Sequence, residues 1–231
     1  MPMFTANRLA GHTIVFDLDG TLVDTAPDLI GCIDASLATR GLPPAPTDVI
    51  KPLISIGSKA MLQRAFAHHN VTLPEDALHA LWLEYLQLYA ANVATRSRPF
   101  AGVPSLLLWL QEIGATLAVC TNKNEALSKA LLGALRLDGF FNCIAGRDTF
   151  SERKPHPGHL LKTIAAAGGD PRRATMVGDS DVDIATAKAA GIPIIAVTFG
   201  YTPAPVATFG PDATIDAYTE FRGALAGLLK S

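Results

Sequence analysis

The sequence predicts a doubly wound, Rossmann-like α/β fold whose parallel sheet core carries an inserted all-helical cap. Three observations predict it. Short β-branched runs end abruptly in polar loops, these runs alternate with helical stretches, and the block 24–97 has helical periodicity without a convincing strand.

Thr13–Phe16 is β-branched and aromatic and stops at Asp17-Leu18-Asp19-Gly20, as a buried strand does when it passes into a loop. Ala115–Cys120 runs likewise into Thr121-Asn122, and Thr175–Val177 into Gly178-Asp179. Ile192–Val197 is a further apolar strand. Helical stretches intervene at 104–112, 125–135, 158–167 and 182–190. Gly114, Gly168 and Gly191 stand at or just past helix ends, where a left-handed residue is needed. This alternation implies a parallel sheet covered on both faces, with polar groups gathered at the carboxyl ends of its strands.

From Asp24 to Arg98 the alternation breaks, and helices are expected at 27–39, 58–68 and 75–94. The expected division is therefore a core of 1–23 with 98–231, and a helical cap of 24–97 hinged at Val23–Thr25 and Ser97–Pro99. Leu78, Leu81, Trp82, Tyr85, Leu86, Leu88 and Tyr89 repeat at helical spacing and read as a bundle core. Pro203–Pro211 reads as a surface connection.

Composition narrows the function classes. The 231 residues suit one large domain, or one with a smaller insertion; 49% are hydrophobic and 17% charged, enough for a substantial core. A formal net charge of −2 without a Lys/Arg run gives no support to a nucleic-acid surface. Cys32, Cys120 and Cys143 have no metal-ligand spacing and suit packing in a reducing compartment. The first residues lack a signal core, and no apolar run reaches the length of a membrane span. The expectation is a cytoplasmic protein with no membrane or nucleic-acid partner, a monomer or a homodimer.

Four loops carry the chemistry. Asp17-Leu18-Asp19-Gly20-Thr21 sets two carboxylates two residues apart after a strand, and Gly20 allows a sharp turn. Phosphoryl transfer needs such a pair: one carboxylate attacks to give a reactive acyl phosphate, and a neighbour protonates the leaving oxygen and then deprotonates water. Thr121 and the backbone N–H of Asn122 are placed to hold phosphate oxygens, and Lys154, ahead of Pro155-His156-Pro157, offers a compact charge. His156, between prolines, reads as a surface residue, as do His68, His69 and His79. Gly178-Asp179-Ser180-Asp181-Val182-Asp183 gathers three acids. Asp179 and Asp183, four apart, face the same way, whereas Asp181 points elsewhere and suits a helix cap. Carboxylates so close need a cation or the helix N-terminus to compensate them, and Mg2+, which takes few protein oxygens and keeps its waters, suits them. The run lacks the glycine and closing glutamate of an EF-hand loop.

The ordered set DLDGT, T-N, K-P and GDxxxD on successive strands resembles the haloacid dehalogenase-like superfamily of phosphatases, over essentially the whole chain. VFDLDGTLVDTAPDL and ERKPHP are most similar to its phosphoglycolate phosphatases. The resemblance implies Asp17 as nucleophile and Mg2+ ligand, and Asp19 as general acid/base with its carbonyl on the metal. It implies Thr121 and Lys154 on the transferred phosphoryl group, Asp179 as metal ligand, and Asp183 supporting the metal or Lys154. The implied substrate is a small phosphorylated metabolite, 2-phosphoglycolate first. A sugar-phosphate mutase of the β-phosphoglucomutase type and a pyrophosphatase share these motifs, and a phosphonatase would need an imine-forming lysine in the cap. The non-enzyme alternative is a catalytically silent binding module. Asp179 and Asp183 argue against the metal-free dehalogenases. Relatives often show Ile-Gly-x-Gly in the cap, where this chain reads Ile56-Gly57-Ser58-Lys59. Lys59 is accordingly a candidate for greeting a substrate carboxylate.

Overall fold

A computed structural model describes residues 9–229; residues 1–8, part of the stretch expected to lack a signal core, and 230–231 lie outside the described residues. Six parallel strands form the central sheet: β1 (Thr13–Phe16), β4 (Thr116–Cys120), β5 (Cys143–Ala145), β6 (Ala174–Gly178), β7 (Ile194–Val197) and β8 (Ala213–Ile215), in the order β5-β4-β1-β6-β7-β8. The doubly wound expectation is met. The order turns outward in both directions from β1, and Phe16 lies level with Val119 on one side and Val177 on the other. The crevice beyond these three strand ends is where such sheets bind ligands.

Alternate residues feed two separate cores, as the two-residue period of a strand requires. Ile14, Phe16, Leu117, Val119, Val177 and Ile195 face one side, with α5 (Val103–Glu112), α6 (Glu125–Ala134) and α9 (Phe221–Leu228) packed against it. Val15, Ala118, Met176, Ile194 and Ala196 face the other, against α7 (Pro157–Ala166) and α8 (Asp181–Ala190). Gly114, Gly168 and Gly191 take φ of 76°, 78° and 68° at helix ends.

The inserted block forms α1 (Ala26–Ala38), a single turn α2 (Thr47–Ile50), α3 (Ser58–His68) and α4 (Glu75–Ala91). The strand-free reading needs one correction. The two hinge segments pair as β2 (Val23–Asp24) and β3 (Arg98–Pro99), an antiparallel ladder too short to carry a periodic signal. Asp28 closes the same seam: its carboxylate accepts from Arg96 N, Ser97 N and Ser97 Oγ at 2.7–2.9 Å. Those bonds hold its carboxyl below the ordinary value although burial acts the other way. β5, β8 and α9 were not read from the sequence. The first two are three-residue edge strands and the third an eight-residue terminal helix, all short for periodicity. None of the described helices is long and apolar enough to cross a membrane.

Candidate active site

Asp17 leaves the sheet at the end of β1, its N–H donating to Val177 O at 2.9 Å. Gly20 turns the chain with φ +87°, and a Cβ there would stand 2.5 Å from Asp179 Oδ2. Only glycine satisfies both demands. Thr21 Oγ1 donates to Asp179 Oδ1 at 2.9 Å, and Tyr201 N donates to Asp179 Oδ2 at 2.8 Å. Asp179, at the end of β6, is thus gripped from two loops.

Asp183 enters from the first turn of α8. Ser180 is the N-cap, in a reciprocal capping box with Asp183, so the cap belongs to Ser180 and not to Asp181, the first helical residue. Asp183 Oδ2 accepts from Ser180 Oγ at 2.6 Å and Ser180 N at 3.1 Å; Oδ1 accepts from Lys154 Nζ at 2.6 Å. Lys154 Nζ also lies 2.9 Å from Asp17 Oδ1, an ion pair outside hydrogen-bond alignment. One ammonium therefore serves two carboxylates. Burial opposes the Lys154 charge, but Asp17 and Asp183 outweigh it and raise its pKa.

With Asp179 beside this pair, three clustered carboxylates and one ammonium leave an excess of buried negative charge. Burial lifts the Asp17 carboxyl from 3.8 to about 6, against the pull of Lys154, and Asp183 adds to the rise. Burial, then Asp183 and Asp17, hold Asp179 well above the ordinary range. Asp17, Asp179 and Asp183 each present an oxygen such that all lie within 4.8 Å of one another. Together with the Asp17 oxygen left without an aligned donor, this acidic cluster fits a divalent cation with oxygen ligands.

Above these acids opens a cavity of about 310 Å3. Asp17, Asp19, Thr121, Asn122 and Lys154 line its floor, and Trp82, Tyr85, Leu86 and Tyr89 of α4 its roof. The α4 stripe is bundle core as read, with Leu78, Leu81, Tyr85 and Tyr89 buried in it and Trp82, Leu86 and Leu88 packed against it, and Trp82, Tyr85, Leu86 and Tyr89 line the cavity as well. Thr121 Oγ1 accepts from Lys123 N at 3.2 Å, and the Asn122 amide donates to Lys154 O at 3.1 Å, joining two of the loops. Lys59 is placed differently: Gly57, Ser58 and Met61 line the cavity there, while Lys59 Nζ pairs with Glu75 Oε1 at 2.5 Å on the surface. His156 is exposed and caps α7; His68 and His79 are exposed and His69 is half-buried.

Several site residues escaped the sequence reading. Lys123 Nζ stands 3.0 and 3.2 Å from the two oxygens of Asp19 and 4.5 Å from the centre of the Tyr89 ring. It directly follows Thr121-Asn122, and that adjacency was the available signal. Tyr201, whose hydroxyl accepts from Thr25 N and Ala26 N and donates to Asp24, ties the Asp179 loop to the hinge. It lies past the end of β7, at the same edge of the sheet as the acids. His159, fully buried, accepts from Lys154 N at 3.3 Å; burial and the Lys154 charge depress its pKa to about 4, so it stays neutral. The cysteines form no disulfide; burial raises the Cys32 thiol to about 11 and the Cys120 thiol to about 12.

Residues 14–197 match the family model for haloacid dehalogenase-like hydrolases. The chain is 44% identical over 229 residues to a phosphoglycolate phosphatase of Caulobacter vibrioides, spanning 99% of this chain and 97% of that protein. It is 47% identical over 205 residues to one from Mesorhizobium japonicum, spanning 89% and 90%. Among solved structures, a predicted phosphoglycolate phosphatase from Haemophilus somnus superposes with a TM-score of 0.87 at 30% identity, covering 96% of this chain and 99% of that one. The chain therefore belongs to the haloacid dehalogenase-like hydrolase family, as an enzyme whose homologues are named phosphoglycolate phosphatases.

Proposed function

We propose that the chain is a Mg2+-dependent phosphomonoester hydrolase that converts 2-phosphoglycolate to glycolate and phosphate. The observation that carries this reading is Asp17: a buried carboxylate at the end of β1, 2.9 Å from the Lys154 ammonium and two residues before a second carboxylate that lines the same cavity. In this reading an Asp17 oxygen attacks phosphorus as the ester oxygen leaves with a proton from Asp19. Asp19 then takes a proton from the water that hydrolyses the aspartyl phosphate. Lys154 and Thr121 hold the phosphoryl oxygens, joined by the Asn122 backbone N–H. Asp17, Asp179 and the Asp19 carbonyl would hold Mg2+, which would supply positive charge against the crowded anions. Asp183 keeps Lys154 and the Asp179 loop in place.

The 24–97 block acts as the cap that selects the substrate. A cavity of about 310 Å3 under an aromatic roof suits a small metabolite, not a macromolecule. The names of the relatives support phosphoglycolate within that class. The test is phosphate release, with Mg2+ and with EDTA, from phosphoglycolate, sugar phosphates, nucleotides and pyrophosphate. A large lead for phosphoglycolate in kcat/KM, abolished by EDTA, is expected. Isomerised sugar phosphate without free phosphate would mark a mutase and end this reading.

A further inference from the structure

Besides Lys154, two cations line the cavity: the exposed Arg147 and the sheltered Lys123. We propose that Lys123, with the hydroxyl of Tyr89, is the binding site for the non-transferred end of the substrate. The geometry selects phosphate esters that carry a carboxylate on the carbon bearing the ester oxygen. This inference rests on the phosphatase reading above and replaces Lys59 with Lys123 as the carboxylate partner.

The Lys123 ammonium is built in, not solvated. Its side chain is 5% exposed, its N–H donates to Thr121 Oγ1 at 3.2 Å, and its carbonyl accepts from Arg147 N at 2.9 Å. The head group therefore emerges from a fixed stretch of backbone. An ammonium has three donors. Two go to the oxygens of Asp19, at 3.0 and 3.2 Å, and one remains for a ligand in the cavity that Lys123 lines.

Tyr89 supplies the other half. Its ring covers the ammonium at 4.5 Å, a cation–π contact between the inserted helices and the loop after β4. Its hydroxyl is buried, belongs to a residue lining the same cavity, and has no hydrogen-bond partner. The adjacent Tyr85, stacked on it with ring centroids 6.1 Å apart, sends its hydroxyl to Leu29 O instead. Buried hydroxyls are ordinarily bonded, so an unpartnered one on a residue that lines the cavity is a donor free for an acceptor.

Placement then sets the chemistry of that acceptor. Asp19 serves the ester oxygen, and Lys123 is one ion pair away from it. An anion reaching both Lys123 and Tyr89 must sit close to the ester oxygen, as an α-carboxylate does. A sugar carries neutral hydroxyls there and leaves the third ammonium donor without an ionic partner.

The test compares 2-phosphoglycolate with ethyl phosphate, in which a methyl replaces the carboxylate, in wild type, Lys123→Met, Lys123→Arg and Tyr89→Phe with saturating Mg2+. Wild type is expected to favour phosphoglycolate by about 100-fold or more in kcat/KM. Lys123→Met should erase most of that ratio, Tyr89→Phe should lower it several-fold, and Lys123→Arg should keep most of it. Thermal melts establish that each variant is folded, and the arginine variant preserves the charge if the methionine one is not. A wild type that treats both esters alike overturns the carboxylate assignment and leaves the phosphatase intact. So does a Lys123→Met that lowers both esters equally, since the lysine would then serve Asp19 alone. No phosphate from any ester overturns the phosphatase reading, on which this one rests.

Discussion

Lys154 Nζ lies 2.6 Å from Asp183 Oδ1, and the other oxygen of that carboxylate is already taken by the Ser180 hydroxyl and N–H. Asp183 is therefore spent on protein donors, which suits it to aiming Lys154 more than to holding a cation. Asp183→Asn puts an amide against an ammonium and leaves Lys154 under-compensated. Activity should fall about 10–100-fold, as is usual when a supporting partner of a metal site is lost. Mg2+ affinity, measured by titration of activity, should fall less than in Asp179→Asn. An equal or larger loss of Mg2+ affinity would make Asp183 a direct ligand.

Asp17→Asn removes the proposed nucleophile without changing its volume. Turnover should drop by ~10³-fold or more, because the covalent route disappears. The same substitution deletes one of three crowded buried carboxylates, so the metal-free variant should melt above the metal-free parent at pH 7.5. Retained turnover, with phosphate released at the parental rate, would take Asp17 out of the reaction.

Proton and cation compete for the same acids. The Asp17 carboxyl rises from 3.8 to about 6 on folding, so across that window the folded chain binds more protons than the unfolded one. The metal-free protein accordingly loses stability as pH climbs from about 4 to about 6; Asp179, also raised, pushes the same way. In the proposed function the cation replaces those protons. The rise in Tm on adding Mg2+ should be small at pH 5 and large at pH 7.5. A Tm shift independent of pH would mean that the cation binds elsewhere.

Lys59→Ala should leave kcat/KM for phosphoglycolate within about twofold and Tm almost unchanged, because an exposed pair such as Lys59–Glu75 contributes ~1 kcal/mol or less. A selective loss of phosphoglycolate turnover would restore Lys59 to the substrate site.

Legibility followed from how each residue acts. Asp17, Lys154 and Asp179 sit at strand ends and in loops whose sequence neighbours announce them, so a linear reading picks them out. Lys123 and Tyr89 meet across the insertion and the sheet, 34 positions apart by their numbers, and no local pattern encodes that encounter. The same holds for the α4 stripe: periodicity finds its apolar face but cannot tell which of those core residues also line a cavity. Lys59 illustrates the converse. Its neighbours Gly57 and Ser58 do line the cavity, yet the helix start turns its own side chain out toward Glu75. Edge strands of three residues fell below any periodic signal.

Gly200 is the residue whose importance only the packing reveals. It lies past the end of β7, beside Tyr201, and a Cβ built on it would come within 2.2 Å of both Cβ and Oδ2 of Asp179. Asp179 cannot yield freely, because Thr21 Oγ1 and Tyr201 N hold its two oxygens at 2.9 and 2.8 Å. Gly200→Ala should therefore move either the Asp179 carboxylate or the Tyr201 backbone, and both routes disturb the proposed cation site. Overpacking of this kind costs about 1–3 kcal/mol, so the variant should still fold at room temperature. Its Mg2+ requirement, read as the concentration giving half-maximal phosphate release, should rise about tenfold or more. An unchanged Mg2+ requirement in a folded Gly200→Ala protein would show that Asp179 does not position the cation.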